Sequence, residues 1–446
     1  MEQKTKRNTI IAGVVFVNII LLGSAGIYYF FIRDTEDYYE LNIGDRVLID
    51  DDSTDAGVED IVSGHNQFAV DLYRELVNGS RDNLIFSPLS LYIVLSILYE
   101  GAGGETAQQI KEALYLMDDD ETRRSSFSRI QNELDGREGR VDIALANGLF
   151  VQDGMDLREA FRQMITDHYF AETENMDFSS DPEGCRKSIN EWGSEKTNGL
   201  IPQALPSGTI DPSTVMAILN AIYFKGEWDI PFDKGDTYDQ NFYLTENRTK
   251  EVPMMHFDPD DVKNDVDFLV YEGEDVESLE LLYKGGSISM TFYRSPQDGG
   301  EYYMEDRIDP ESIFELEKDL SGKMIGDAQE GASERELTIS LPKFSMDPEM
   351  DLEAPLRSLG IENAFGPADF SNITGSAGLF IGSIGQSAKI KVDEKGTEAA
   401  AVTYAAMDRS IGLSFDLNQP FIFTIQDRET GLILFMGRVM EPTWEE

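Results

Sequence analysis

The chain has 446 residues, of which 84 are Asp or Glu and 37 are Lys or Arg, leaving a formal charge of -47 that argues against a nucleic-acid partner, since such binders need clustered cations. A single cysteine, Cys185, excludes an internal disulfide framework, and three histidines (His65, His168 and His256) leave little for imidazole-based metal or nucleophile chemistry. Apolar residues at 41% and aromatics at 10% still supply a core, so wholesale disorder is excluded too.

In chain order, residues 9–32 come first as a charge-free apolar run of 24, long enough as a helix to cross a hydrocarbon layer of about 30 Å. Lys4, Lys6 and Arg7 precede it and Asp34, Glu36 and Asp37 follow, so the positive-inside rule keeps residues 1–8 in the cytoplasm. The run exceeds a signal-peptide core, which predicts an uncleaved signal anchor in the cell membrane; secretion after cleavage near Gly23, Ser24 and Ala25 is the alternative. Both place the remainder outside the cell. Residues 33–60 hold eleven acidic side chains against two Arg and are expected to form a self-repelling extracellular tether. The excess negative charge elsewhere reads as a solvated, halophilic-type surface whose repulsion fades at about 1 M salt, where the Debye length is roughly 3 Å.

From residue 61 to 446 no linker or repeat interrupts the chain, and the pattern is that of one α+β body, helical early and strand-rich later. Phe68, Ala69, Leu72, Tyr73 and Leu76 recur at helical spacing. Ser87 and Pro88 form an N-cap and first-turn pair ahead of a helix apolar nearly all round from 91 to 98. After the glycines at 101–104, Thr106 and Gln109 read as a capping box opening a helix through Leu116. No Lys follows these glycines at phosphate-loop spacing, and a helix rather than a strand precedes them. Val141, Ile143 and Leu145 alternate as a strand continuing to Val151, and the apolar run 215–224 predicts a central strand covered on both faces. Residues 421–425 and 432–439, separated by the polar turn 426–431, predict a buried hairpin.

No motif for catalysis emerges. The aspartates at 258, 260, 261, 265 and 267 lack calcium-loop spacing and read as a solvated charge run, and no serine sits in a nucleophile elbow. His65 is read at the start of a helix and His168 in a polar stretch after Met164. The chain is not expected to be an enzyme, and no cofactor or metal site is predicted.

The informative segment is 394–410, EKGTEAAAVTYAAMDRS. Split by strand alternation, one parity holds Thr397, Ala399, Ala401, Thr403, Ala405 and Met407 without a charge, while the other takes Glu398 and Asp408. A segment that must at some time lie in a sheet with one face on the core has reason to keep that parity neutral.

With these residues in view the chain resembles the serpins, the serine-protease-inhibitor superfamily, in the manner of a membrane-anchored prokaryotic member. The resemblance spans residues 61–442 and is carried by NLIFSPLS (83–90), GAGGETAQQI (101–110), LNAIYFKGEWDIPF (219–232), MMHF (254–257), LPKF (341–344), LRSLGIENAF (356–365), DEKGTEAAAVT (393–403) and the pair PFIF and ILFMGRV within 420–439. It implies three sheets, about nine helices and an exposed reactive-centre loop at about 394–419. The positions Glu394, Lys395, Gly396, Thr397, Glu398, Ala399, Ala400 and Ala401 match the family's hinge, with Gly396 as pivot and Thr397 the first side chain to enter the sheet. Counting back from Pro420 sets the reactive bond at Arg409–Ser410, whereas counting forward from Gly396 reaches Ser410. Arg409 suits a trypsin-like specificity pocket, and Tyr404 and Met407 are alternative cleavage positions. Gln386 stands where the family often has a His.

The implied activity is suicide inhibition of a trypsin-like or subtilisin-like serine protease by a monomer. The alternative is a non-inhibitory binding or chaperone-like module, which charged or bulky residues on the inserting parity would have favoured. Asn78, Asn247 and Asn372 open sequons for glycosylation.

Overall fold

The computed structural model describes residues 47–135, 141–196, 204–259, 266–296, 308–376, 378–382, 384–397 and 413–444. Among them are ten α-helices and three sheets of seven, four and six strands, with a two-stranded ribbon besides. The α+β expectation holds, with one helix more than the resemblance implied.

The expected membrane span at 9–32 lies outside the described residues, and among the described residues no helix is long and apolar enough to cross a membrane. The expected tether needs a correction at its end. Leu48 is buried, the Ile49 N–H donates to the Asp167 carbonyl at 3.0 Å, and the first helix already starts at Asp55 and runs to Val77. The Thr54 hydroxyl caps it by accepting from the Gly57 N–H at 2.9 Å. The acidic side chains of Asp55, Glu59 and Asp60 are the solvated face of this helix, while Val58, Ile61 and Val62 face the core. His65 lies well inside the same helix rather than at its start.

Helix Pro88–Gly101 begins as predicted, with Ser87 accepting from the Ser90 N–H and Pro88 in the first turn; Leu89, Leu95 and Leu98 are among its buried residues. The next helix, Gly104–Ala113, corrects the capping-box reading. It starts two residues before Thr106, has Gly103 as N-cap without a side-chain bond, and ends before Leu116. Thr106 Oγ1 instead accepts from the Asp369 N–H at 3.0 Å, and Gln109 Oε1 accepts from the N–H groups of Glu362 and Asn363 at 3.0 and 2.8 Å. Both polar side chains staple a distant loop.

The seven-stranded sheet is antiparallel throughout and holds the predicted hairpin, Phe421–Asp427 with Ile433–Val439. These two strands and Ile288–Arg294 beside them are buried at every residue. Asn66 joins the first helix to the hairpin, donating to the Gly431 carbonyl at 2.8 Å and accepting from the Ile433 N–H at 3.1 Å.

The six-stranded sheet runs Phe344–Met346, Ile390–Asp393, Gly396–Thr397, Met216–Glu227, Val141–Gln152, Ala171–Met176. Met216–Glu227 is central, as the apolar run predicted, but its cover is uneven: Leu219, Phe224 and Gly226 are buried, whereas Met216, Ala217, Ile218 and Asn220 are half-buried. Phe344 meets Phe421 and Phe423 at ring distances of 6.0 and 5.6 Å, joining the two large sheets.

Candidate functional site

The site starts where Ile390–Asp393 leaves the six-stranded sheet and turns back. Glu394 and Lys395 make the turn, and Gly396–Thr397 re-enters antiparallel, with Thr397 opposite both Val392 and Gly226 and with Gly396 opposite Asp393 and Glu227. Gly396 holds φ at +142°, and a Cβ there would collide with the Gly226 carbonyl and sit 2.7 Å from Cα of Glu227. Only glycine fits this pivot.

The turn is fixed from several elements. Trp228 N–H donates to the Lys395 carbonyl at 2.6 Å and Phe232 N–H to the Glu394 carbonyl at 2.7 Å, while Trp228 Nε1 donates to the Asp393 carbonyl at 3.0 Å. The buried Glu394 carboxylate accepts from Lys343 Nζ at 3.1 and 3.0 Å and from the Thr237 hydroxyl at 3.0 Å. Burial alone would raise its pKa, but backbone hydrogen bonding and the Lys343 ammonium outweigh that and hold the carboxyl below the usual range. Its neighbour Asp393 is pushed up by burial.

Further along the sheet, a chain of polar side chains joins helix Pro88–Gly101 to the two strands Met216–Glu227 and Val141–Gln152. Ser90 Oγ bonds Asn220 Oδ1, Asn220 Nδ2 donates to Asn147 Oδ1 at 2.5 Å, and Asn147 Nδ2 donates to the Tyr169 carbonyl at 2.7 Å. Gln386 sits beside it: its Oε1 accepts from the Ser87 N–H at 2.7 Å and its Nε2 donates to the Ser87 carbonyl at 3.0 Å. A neutral amide thus satisfies both backbone groups of the helix cap, with no proton to gain or lose near neutrality.

Of the predicted site residues, Glu394, Lys395, Gly396 and Thr397 are brought together here. Glu398, Ala399, Ala400, Ala401, Tyr404, Met407, Arg409 and Ser410 lie outside the described residues. The chain returns at Leu413–Asp416, parallel to Leu337–Pro342 in the four-stranded sheet, and reaches the buried Pro420. Sequence reading assigned no role to Lys343, Trp228, Thr237, Asn147 or Asn220. A signal was present for Asn220, an amide in the middle of the apolar run VMAILNAIYF.

The histidines stand on separate elements. His65 is buried, which pushes its pKa down to about 4 against a smaller opposing effect of Asn66. His168 closes helix Glu159–Tyr169 rather than a polar stretch, bonding Ser128 Oγ at 2.9 Å, and His256 bonds Gln240 Oε1 at 2.9 Å. Among the described residues no group of three His, Cys, Asp or Glu side chains is placed to hold a metal ion. Asn78, Asn247 and Asn372 are all exposed, and the Asn372 amide nitrogen donates to the Ala102 carbonyl at 2.8 Å.

A profile of the family described as Serpin (serine protease inhibitor) matches residues 63–442. The chain is 35% identical over 389 residues to an uncharacterized serpin-like protein of Thermococcus kodakarensis, covering 86% of each. It is 32% identical to plasminogen activator inhibitor 1 of Neovison vison, covering 84% of this chain and 91% of that one. Among solved structures, a highly specific serpin of the insect Tenebrio molitor superposes with a TM-score of 0.74 at 28% identity, covering 87% of this chain and 99% of that one.

Proposed function

The chain belongs to the serpin family, and on that premise we propose that it inhibits a trypsin-like or subtilisin-like serine protease as a suicide substrate. The protease serine attacks the Arg409 carbonyl and forms an acyl-enzyme, with Ser410 starting the released peptide. The freed segment then enters the six-stranded sheet as a full strand and drags the protease out of shape before water completes hydrolysis.

The observation carrying this reading is the two-residue strand Gly396–Thr397. It lies between Ile390–Asp393 and Met216–Glu227, and among the described residues it pairs only with Gly226 and Glu227 of the latter. Extending the strand along Met216–Glu227 would add about ten ladder hydrogen bonds, roughly 5 to 15 kcal/mol at the usual net value. Thr397, Ala399 and Ala401 keep the inserting parity small and neutral, which favours insertion; a charge there would cost several kcal/mol, about what an unpaired buried charge costs.

The body is placed outside the cell, held by residues 9–32 as a single-pass anchor with the N-terminus in the cytoplasm. The cationic start and acidic exit of that run support this orientation. Digestion of intact cells by an added protease then removes the body and spares residues 1–32.

The decisive test mixes the full chain, in detergent, with trypsin and separately with a subtilisin. The expected product is a covalent adduct that survives SDS, together with a released peptide beginning at Ser410. Cleavage at that bond with complete turnover and no adduct would overturn the inhibitory mechanism.

A further inference from the structure

The last residues of the chain take a path of their own. Asn83 Oδ1 accepts from the N–H groups of Met440 and Glu441 at 2.8 and 2.9 Å, and Lys250 Nζ donates to the Glu441 carboxylate and the Pro442 carbonyl, both at 3.0 Å. The tail then runs along the outer edge of the six-stranded sheet. Ser345 N–H donates to the Thr443 carbonyl at 2.7 Å, and the Thr443 hydroxyl donates back to the Ser345 carbonyl at 2.9 Å. Trp444 follows, with Lys343 Nζ 4.1 Å and Lys391 Nζ 4.4 Å from its ring centroid. The family match ends at 442, so Thr443 and Trp444 lie beyond what the family profile covers.

Lys343 is the residue that grips Glu394, and Lys391 lies in the strand that leads into the turn. An ammonium placed over an indole face is held by the ring quadrupole, most strongly where water is scarce. The side chain of Lys343 is 12% exposed and that of Glu394 is 3% exposed. The same ammonium therefore faces a carboxylate and an aromatic ring, and its position is set by both.

We propose that Trp444 is a positioning residue for loop insertion: by fixing Lys343 and Lys391 from the sheet edge it holds Glu394 in place and restrains the hinge until the reactive bond is cut. This rests on the insertion reading above, but its test does not need an inhibited protease. The N–H groups of Trp228 and Phe232, which donate to the Lys395 and Glu394 carbonyls, report hinge opening directly through hydrogen exchange.

The experiment compares the full chain with Trp444→Ala, Trp444→Phe and a deletion of 443–446. The expected result is exchange at Trp228 and Phe232 about tenfold faster in Trp444→Ala and in the deletion, a factor within reach of two ordinary cation–π contacts. Trp444→Phe, which keeps an aromatic face, stays near the parent rate, and amides of Phe421–Asp427 are unchanged in all three. Unchanged exchange at Trp228 and Phe232 overturns the proposal. So does equal acceleration at Phe421–Asp427, which would make Trp444 a general support. If the parent chain forms no covalent adduct while the hinge amides respond as expected, the inhibitory reading fails and the restraint stands.

Discussion

The two large sheets are built on different terms. In the seven-stranded sheet, Ile288–Arg294, Phe421–Asp427 and Ile433–Val439 are buried at every residue, so nothing can move there without losing packing as a block. The six-stranded sheet has an unevenly covered central strand, a two-residue strand at the turn, and side-chain amides linking Asn220, Asn147 and the Tyr169 carbonyl. Hydrogen bonds of that kind are each worth about 1 kcal/mol net and can be exchanged one at a time. The contrast teaches that one sheet is packed throughout while the other, joined to it by the pair Phe344 and Phe421, is the one in which the proposed strand insertion would have to take place.

Three substitutions or titrations would break or sharpen that contrast. The largest effect is expected from Thr397→Arg, which puts a charge where the proposed strand insertion begins: the chain should become a substrate, with most encounters ending in cleavage instead of adduct, counted by SDS gel. Next, Phe423→Ala in the rigid sheet should cost about 3–5 kcal/mol, the range for a fully buried Phe, and should lower the melting of uncut and cleaved forms alike. A loss confined to the uncut form would tie Phe423 to the state before insertion and break the contrast. The smallest effect is a pH dependence from His65, whose helix docks on the same hairpin through Asn66. Its folded pKa of about 4 lies below the ordinary 6.5, so below pH 6.5 the unfolded chain binds the extra proton. Stability from this group is complete above that pH and falls towards pH 4, by roughly 3 kcal/mol at 1.36 kcal/mol per pH unit. Denaturant titrations of the parent and of His65→Asn should diverge over that window, and parallel curves would remove His65 as the source.

The sequence was readable where the deciding partners are neighbours in the chain. Ser87 with Pro88 announced a helix start, and the apolar runs on either side of residues 426–431 announced the hairpin, because capping and strand burial are local in pattern. It was misleading where a polar side chain serves a distant one. Gln109 has the spacing of a capping box, yet its amide reaches a backbone 253 residues away, and no periodicity encodes that. The acidic run after residue 50 hid a helix because charge counting ignores which face each charge occupies. At the hinge, Gly396 and Thr397 were identified through the resemblance, whereas Lys343 and Trp228 needed the folded chain to bring them to Glu394.

The bonds of Asn66 to Gly431 and Ile433 have a consequence for synthesis. Helix Asp55–Val77 takes part of its docking surface from a hairpin that is made well after it, 365 residues on at the bond from Asn66 to Gly431, and the short strand Leu84–Phe86 pairs with that same late arrival. That part of the helix's seat is therefore missing from the nascent chain until the hairpin has been made. Such delay makes damage to the late hairpin a failure of early segments too, since the helix and the strand Leu84–Phe86 both lose a partner with it.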